Sequence, residues 1–177
     1  NLSWDWYELT SRRDCQFTIE YIKEHKERNW DWSALSRRND LNLSAETIIS
    51  LIEKEWDWKE ILRRKDIEFT EEHISKLAQI NLDWKEFSRR KDFFPTMNTL
   101  NILKDKDLDW NDISRRMELH YNVILLYKHK LNWSILTNST HIDKSNPKTL
   151  ETFKEYLDWN AISYSSEFKP SNENLQK

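Results

Sequence analysis

A chain of 177 residues with 28 basic and 31 acidic side chains, net charge -3, has the size of one ordinary domain or a short repeat array. It contains no glycine, which excludes the Gly-rich phosphate loops of P-loop and dinucleotide-binding proteins, the strained G-x-S-x-G elbow and the positive-φ turns of tight hairpins. A mean hydropathy of -0.93 with 33% charged residues would suit disorder, but 13% aromatic content with ten tryptophans supplies too much buriable surface for that.

Self-similarity organises the whole chain. Tryptophan recurs at 6, 32, 58, 84, 110, 133 and 159, with spacings of 26, 26, 26, 26, 23 and 26. With that Trp as position 0, position -2 is Trp4, Trp30, Trp56, Leu82, Leu108, Leu131 and Leu157, and position -1 is Asp except for Asn132. Position +3 is Leu9, Leu35, Ile61, Phe87, Ile113, Leu136 and Ile162; position +4 is Thr10, Ser36, Leu62, Ser88, Ser114, Thr137 and Ser163. Position +6 is Arg12, Arg38, Arg64, Arg90 and Arg116, then Ser139 and Ser165. Position +8 is Asp14, Asp40, Asp66, Asp92, Glu118 and Glu167 in six copies.

In chain order, each copy predicts a short first helix beginning at DW. Its Asp is the N-cap, and Glu8, Glu60, Glu86 or Asp112 three residues later completes a capping-box-like start. The Trp and the +3 residue share a buried face, while the small +4 residue lets a neighbouring helix approach closely. A second helix follows the N-caps Thr18, Ser44, Thr70 and Thr96, with runs such as Ile74, Leu77 and Ile80 or Met97, Leu100 and Leu103. In copy five this helix covers Val123 to Leu126, and in copy six Ser145-Asn146-Pro147 marks its entry ahead of Leu150 and Phe153. Neither helix can bury its apolar stripe alone, so the units must stack. The expected fold is an all-α solenoid of seven two-helix repeats of about 26 residues over 1–168, with a Trp ladder (Trp6, Trp32, Trp58, Trp84, Trp110, Trp133, Trp159) as its continuous core. Residues 169–177 read as a polar tail. The opening Asn1 predicts a processed or excised part of something longer.

The DWxxLSRR-x-D unit resembles the short tandem helical repeats with a (W/L)DWxxLS core that occur in bacterial, particularly Bacteroides-like, proteins. The resemblance spans nearly the whole chain and implies a helical repeat array, without an activity. Members often have Asn after the Ser, where this chain has Arg37, Arg63, Arg89 and Arg115.

Those arginines are the chain's most individual feature. Ten of its eleven arginines form the dipeptides Arg12-Arg13, Arg37-Arg38, Arg63-Arg64, Arg89-Arg90 and Arg115-Arg116, while its 17 lysines are scattered. The +6 arginines have a structural reading, stacking on a Trp and pairing with the +8 acid, and a functional one, a row of guanidinium groups about 10 Å apart gripping a polyanion or an acidic face. The +5 arginines, about 140° from the Trp on a helical wheel, should be solvated.

Chemistry beyond this is sparse. The carboxylate pairs Asp5/Glu8 and Asp57/Glu60 are explained by capping, and the +4 serines have no His or Lys base in the same frame. Cys15 and five dispersed histidines lack metal-ligand spacing, so no metal, cofactor or small-molecule substrate is expected. No apolar run reaches the roughly 18 residues that span a bilayer, no signal-peptide core is visible, and a cytoplasmic setting is the default. The expected function is a non-enzymatic scaffold for a protein partner, part of a longer protein or assembly; the alternative is a module for nucleic acid or another phosphate-bearing chain.

Overall fold

The computed structural model describes residues 4–117, 119–166 and 168. Among them the chain is all-α, with no strand. In order come α1 (Trp6–Ser11), α2 (Ile19–Glu24), α3 (Trp32–Arg37), α4 (Ala45–Ser50), α5 (Trp58–Arg63), α6 (Glu71–Leu77) and α7 (Trp84–Ser88). Then follow α8 (Met97–Ile102), α9 (Trp110–Ile113), α10 (Tyr121–Tyr127), α11 (Trp133–Thr137), α12 (Pro147–Phe153) and α13 (Trp159–Tyr164). Odd-numbered helices open the repeats at DW, and even-numbered ones are the second helices. The first six repeats show both helices. Of the seventh only α13 lies among the described residues; the expected tail 169–177 falls outside them, as do Glu118 and Glu167 at +8.

These helices run from four to seven residues, far below the roughly 12–15 needed for an isolated helix to persist in water. So short a helix is mostly ends, and nearly every backbone group in it is one that a longer helix would leave for a cap. Each first helix is capped by its own -1 side chain: Asp5, Asp31, Asp57, Asp83, Asp109, Asn132 and Asp158 accept from the amide three residues on. Second helices start on Thr18, Ser44, Thr70 and Thr96 in the same way, and on Asn146 followed by Pro147. At α10 the N-cap is His120, which makes no side-chain cap bond.

The C-terminal ends need another solution, because the usual left-handed cap is a glycine and no described residue has positive φ. Helices α1, α3 and α5 run into an extended C-cap residue instead, at Arg12, Arg38 and Arg64. Their last carbonyls are left to be satisfied from outside the helix.

The helices gather into two compact units, Asn1–Asp92 and Phe93–Lys177. In the first, α1 packs on α3, α3 on α5, and α4 on α6. In the second, α10 meets α12 through Tyr121 and Phe153, and Trp133 of α11 lies against Phe153 and Tyr156. The deepest core is aliphatic and phenylalanine-based. Leu35, Ile61, Phe87, Ile113, Leu136 and Ile162 at +3 are buried, as are Leu41, Ile67, Phe93, Leu119 and Ile142 at +9.

The expected continuous Trp ladder is corrected here. Trp32 and Trp84 are buried, Trp6, Trp58, Trp110 and Trp133 are half-buried, and Trp159 is exposed. The indoles at this position are enclosed to different degrees from copy to copy, while the +3 and +9 side chains form the continuous buried set. Two periodic apolar positions also fall elsewhere than expected: Ile80 comes after the end of α6, and Met97 is exposed at the start of α8.

Candidate arginine clamps and the cleft between the first two repeats

The +6 arginines answer the problem of the uncapped C-terminal ends. Arg38 sends Nη1 to the carbonyls of Thr10 and Arg12 (both 3.2 Å) and Nη2 to that of Cys15 (2.7 Å), all in the preceding repeat. Its Nε bonds Asp40 at +8 of its own repeat (3.0 Å). Arg64 repeats the pattern on Arg38 O (2.7 Å), Leu41 O (3.1 Å) and Asp66. Arg90 does so on the carbonyls of Leu62, Arg64 and Ile67 and on Asp92. Arg116, whose +8 residue lies outside the described set, reaches Phe93 O (3.1 Å) and turns to Asp112.

A guanidinium has five donors in a fixed fork, so one side chain can span an orphaned helix end and a carboxylate together; an ammonium on a flexible stem cannot. The Arg38, Arg64 and Arg90 side chains are buried. Asp40 and Asp66 are each held below the ordinary aspartate range, chiefly by the hydrogen bond from their arginine and against a smaller opposing effect of burial. Arg12 has no preceding repeat among the described residues. It pairs with Asp14 in solvent, where such a pair is worth little.

The expected stacking on tryptophan takes a different form. Arg38 lies over Phe17 (5.4 Å to the ring centre) and Arg90 over Phe69 (4.9 Å), both at +11 of the preceding repeat. The fork is already aimed at that repeat's backbone, so the ring it meets is the one following those carbonyls.

Two further cross-repeat bonds escaped the sequence reading. The +4 hydroxyl donates within its own helix and accepts from the N-cap amide of the next repeat. Ser36 Oγ bonds Trp32 O (2.8 Å) and receives Asp57 N (3.0 Å), while Ser114 Oγ bonds Trp110 O (2.6 Å) and receives Asn132 N (2.8 Å). Thr10 and Thr137 receive the amides of Asp31 and Asp158. This replaces the reciprocal half of the expected capping box at DW. Among the described helices that box forms at α6, where Thr70 and His73 exchange bonds.

Indole N–H groups close the second helices. Trp30 donates to the C-cap carbonyl of His25 and Trp56 to that of Leu51, both at 2.9 Å. From the fourth copy on, position -2 is Leu, and the 23-residue spacing precedes the sixth copy. The position-0 residues Trp133 and Trp159 then donate to the C-cap carbonyls of Lys128 and Lys154.

The +5 arginines are in solvent, with Arg37, Arg63 and Arg89 side chains 51%, 54% and 52% exposed; Arg115 is exposed too. Each of those three has a carboxylate beside it: Arg37 with Asp57 (3.4 Å), Arg63 with Glu60 (3.3 Å) and Arg89 with Glu86 (3.5 Å).

A concavity of about 940 Å³ lies between the first and second repeats and is lined by Arg12, Arg13, Arg37, Arg38, Asp40 and Ala34 among others. Beside it, a second hollow of about 600 Å³ is walled by Trp4, Trp6, Leu9, Phe17 and Tyr21. Among the described residues no cluster of His, Cys, Asp and Glu could hold a metal ion, and no helix is long and apolar enough to cross a membrane.

The architecture is therefore that of an all-α repeat protein. Comparison with protein-family models, with curated proteins and with solved structures finds no match.

Proposed function

We propose that this chain is a non-enzymatic helical-repeat scaffold that presents its exposed, repeat-variable positions to a protein partner. The recurring residues are absorbed by stacking: the -1 Asp caps, the +3 and +9 side chains pack, the +4 hydroxyl and the +6 arginine join one repeat to the next. Position +1, in solvent in every copy but the second, differs from copy to copy (Tyr7, Ser33, Lys59, Lys85, Asn111, Ser134, Asn160), as suits a surface shaped for a partner rather than for a uniform chain.

One observation favours this over the polyanion alternative. Arg37, Arg63 and Arg89 each have a carboxylate within 3.5 Å, so the solvent-facing arginines are largely compensated, in line with the net charge of -3. A nucleic-acid surface is instead basic in excess, since its affinity comes from Lys and Arg releasing the counterions condensed on phosphates. The test is a titration of the protein with a mixed-sequence single-stranded oligonucleotide at low and moderate salt. The expected result is no salt-dependent binding. Saturable binding that is lost when Arg37, Arg63, Arg89 and Arg115 are all changed to Ser, with the melt unchanged, would replace the scaffold with the polyanion module.

A further inference from the structure

We propose that the cleft between the first and second repeats is a docking site for an acidic peptide segment. The inference rests on the scaffold reading and adds to it the chemistry of the partner.

In this cleft arginine outnumbers the acids of the lining. Its lining holds Arg12, Arg13, Arg37 and Arg38 against a single carboxylate, Asp40. Arg12 is taken by Asp14, and Arg38 by Asp40 and the carbonyls of repeat one. Arg13 is exposed, and no carboxylate of the described residues lies within ion-pair distance of it. Arg37 uses its Nη1 on Ser33 and Asp57 with half of its side chain exposed.

A sequence difference explains why the excess sits here. At +2, where repeats three and four have Glu60 and Glu86 bonded to their own +5 arginines, the second repeat has Ala34, which lines the cleft. That alanine removes the internal carboxylate and leaves space where it would stand. A volume of about 940 Å³ lies near the upper end of the roughly 300–1,000 Å³ of ordinary ligand pockets.

The charge pattern selects a peptide over a phosphate chain. Strong nucleic-acid binding uses a track of about 6–10 phosphate contacts, whereas this cleft offers two guanidinium groups to a partner, Arg13 and the half-exposed Arg37 beside Asp57. Asp and Glu carboxylates are planar and accept two parallel N–H bonds from one guanidinium, so two acidic side chains a few residues apart would match Arg13 and Arg37.

The test measures binding of a short fluorescent peptide of alternating Glu and Ser to the whole chain. Its partners are the Gln-for-Glu peptide and an oligonucleotide of equal charge. R13Q/R37Q is compared with R63Q/R89Q, which removes equally exposed arginines outside the cleft, and thermal melts accompany each variant. The acidic peptide should bind the parent, lose at least about tenfold in affinity in R13Q/R37Q, and keep its affinity in R63Q/R89Q; the Gln peptide should not bind. Absence of acidic-peptide binding at low salt overturns the inference, as does equal loss in the two double variants. Both outcomes leave the scaffold reading intact. A preference for the oligonucleotide over the peptide overturns the acidic-peptide assignment. The scaffold reading itself fails only if the oligonucleotide's salt-dependent binding disappears with the four +5 arginines.

Discussion

Adjacent arginines in one dipeptide do different physical work. Arg63 ends α5 with its side chain in solvent beside Glu60, while Arg64, one residue on, is buried and holds Arg38 O, Leu41 O and Asp66. Removing Arg64 would strip two buried carbonyls of their donor and leave Asp66 without its partner. Arg64→Ala should therefore cost about 2–4 kcal/mol of unfolding free energy. Arg64→Lys should recover only a small part, because an ammonium cannot span both carbonyls and the carboxylate. Arg63→Ala should stay within about 0.5 kcal/mol, as exposed substitutions do. Urea denaturation of the three variants measures this. A lysine variant as stable as the parent would show that charge, and not the fork, is what the site requires.

At the scale of the helix, the controlling fact is that an element of four to seven residues starts on its own capping side chain but takes its remaining hydrogen-bond partners from neighbouring repeats. The +4 hydroxyl is the smallest of these devices. Ser36→Ala would leave the Asp57 amide without its acceptor and remove the bond to Trp32 O. The expected loss is about 1–3 kcal/mol, seen as a lower denaturation midpoint at unchanged slope. A neutral result would mean that the pin contributes nothing beyond its size.

Much of this scale is legible in the sequence. The 26-residue period, the Asp and Thr N-caps and the pairing of +6 Arg with +8 Asp all follow from spacing. What spacing could not give is which neighbouring backbone each side chain meets, since periodicity aligns copies without saying how they touch. Hence the arginines were expected on tryptophan but lie over Phe17 and Phe69. A usable clue was present at +4, where six copies have Ser or Thr and none has Ala; small size alone would not demand a hydroxyl. The cleft was less legible, because its character depends on Ala34 interrupting a run of acidic residues at +2.

Over the whole molecule, stability built from neighbour contacts depends on how many neighbours a residue has. Trp84, in the fourth of the seven copies, is 6% exposed. Trp159, its counterpart in the last repeat, is 45% exposed, although its indole still donates to Lys154 O. The motif position is the same and the surroundings differ, so the two residues separate the intrinsic worth of the motif from the worth of being enclosed. Trp84→Ala should cost about 3–5 kcal/mol, the usual range for deleting a buried aromatic side chain. Trp159→Ala should cost about 1 kcal/mol, chiefly for the lost indole bond and a partial loss of burial. Thermal and urea melts of both variants decide the matter. Equal costs would mean that the motif stabilises each repeat on its own, and that stacking adds far less than four-to-seven-residue helices require.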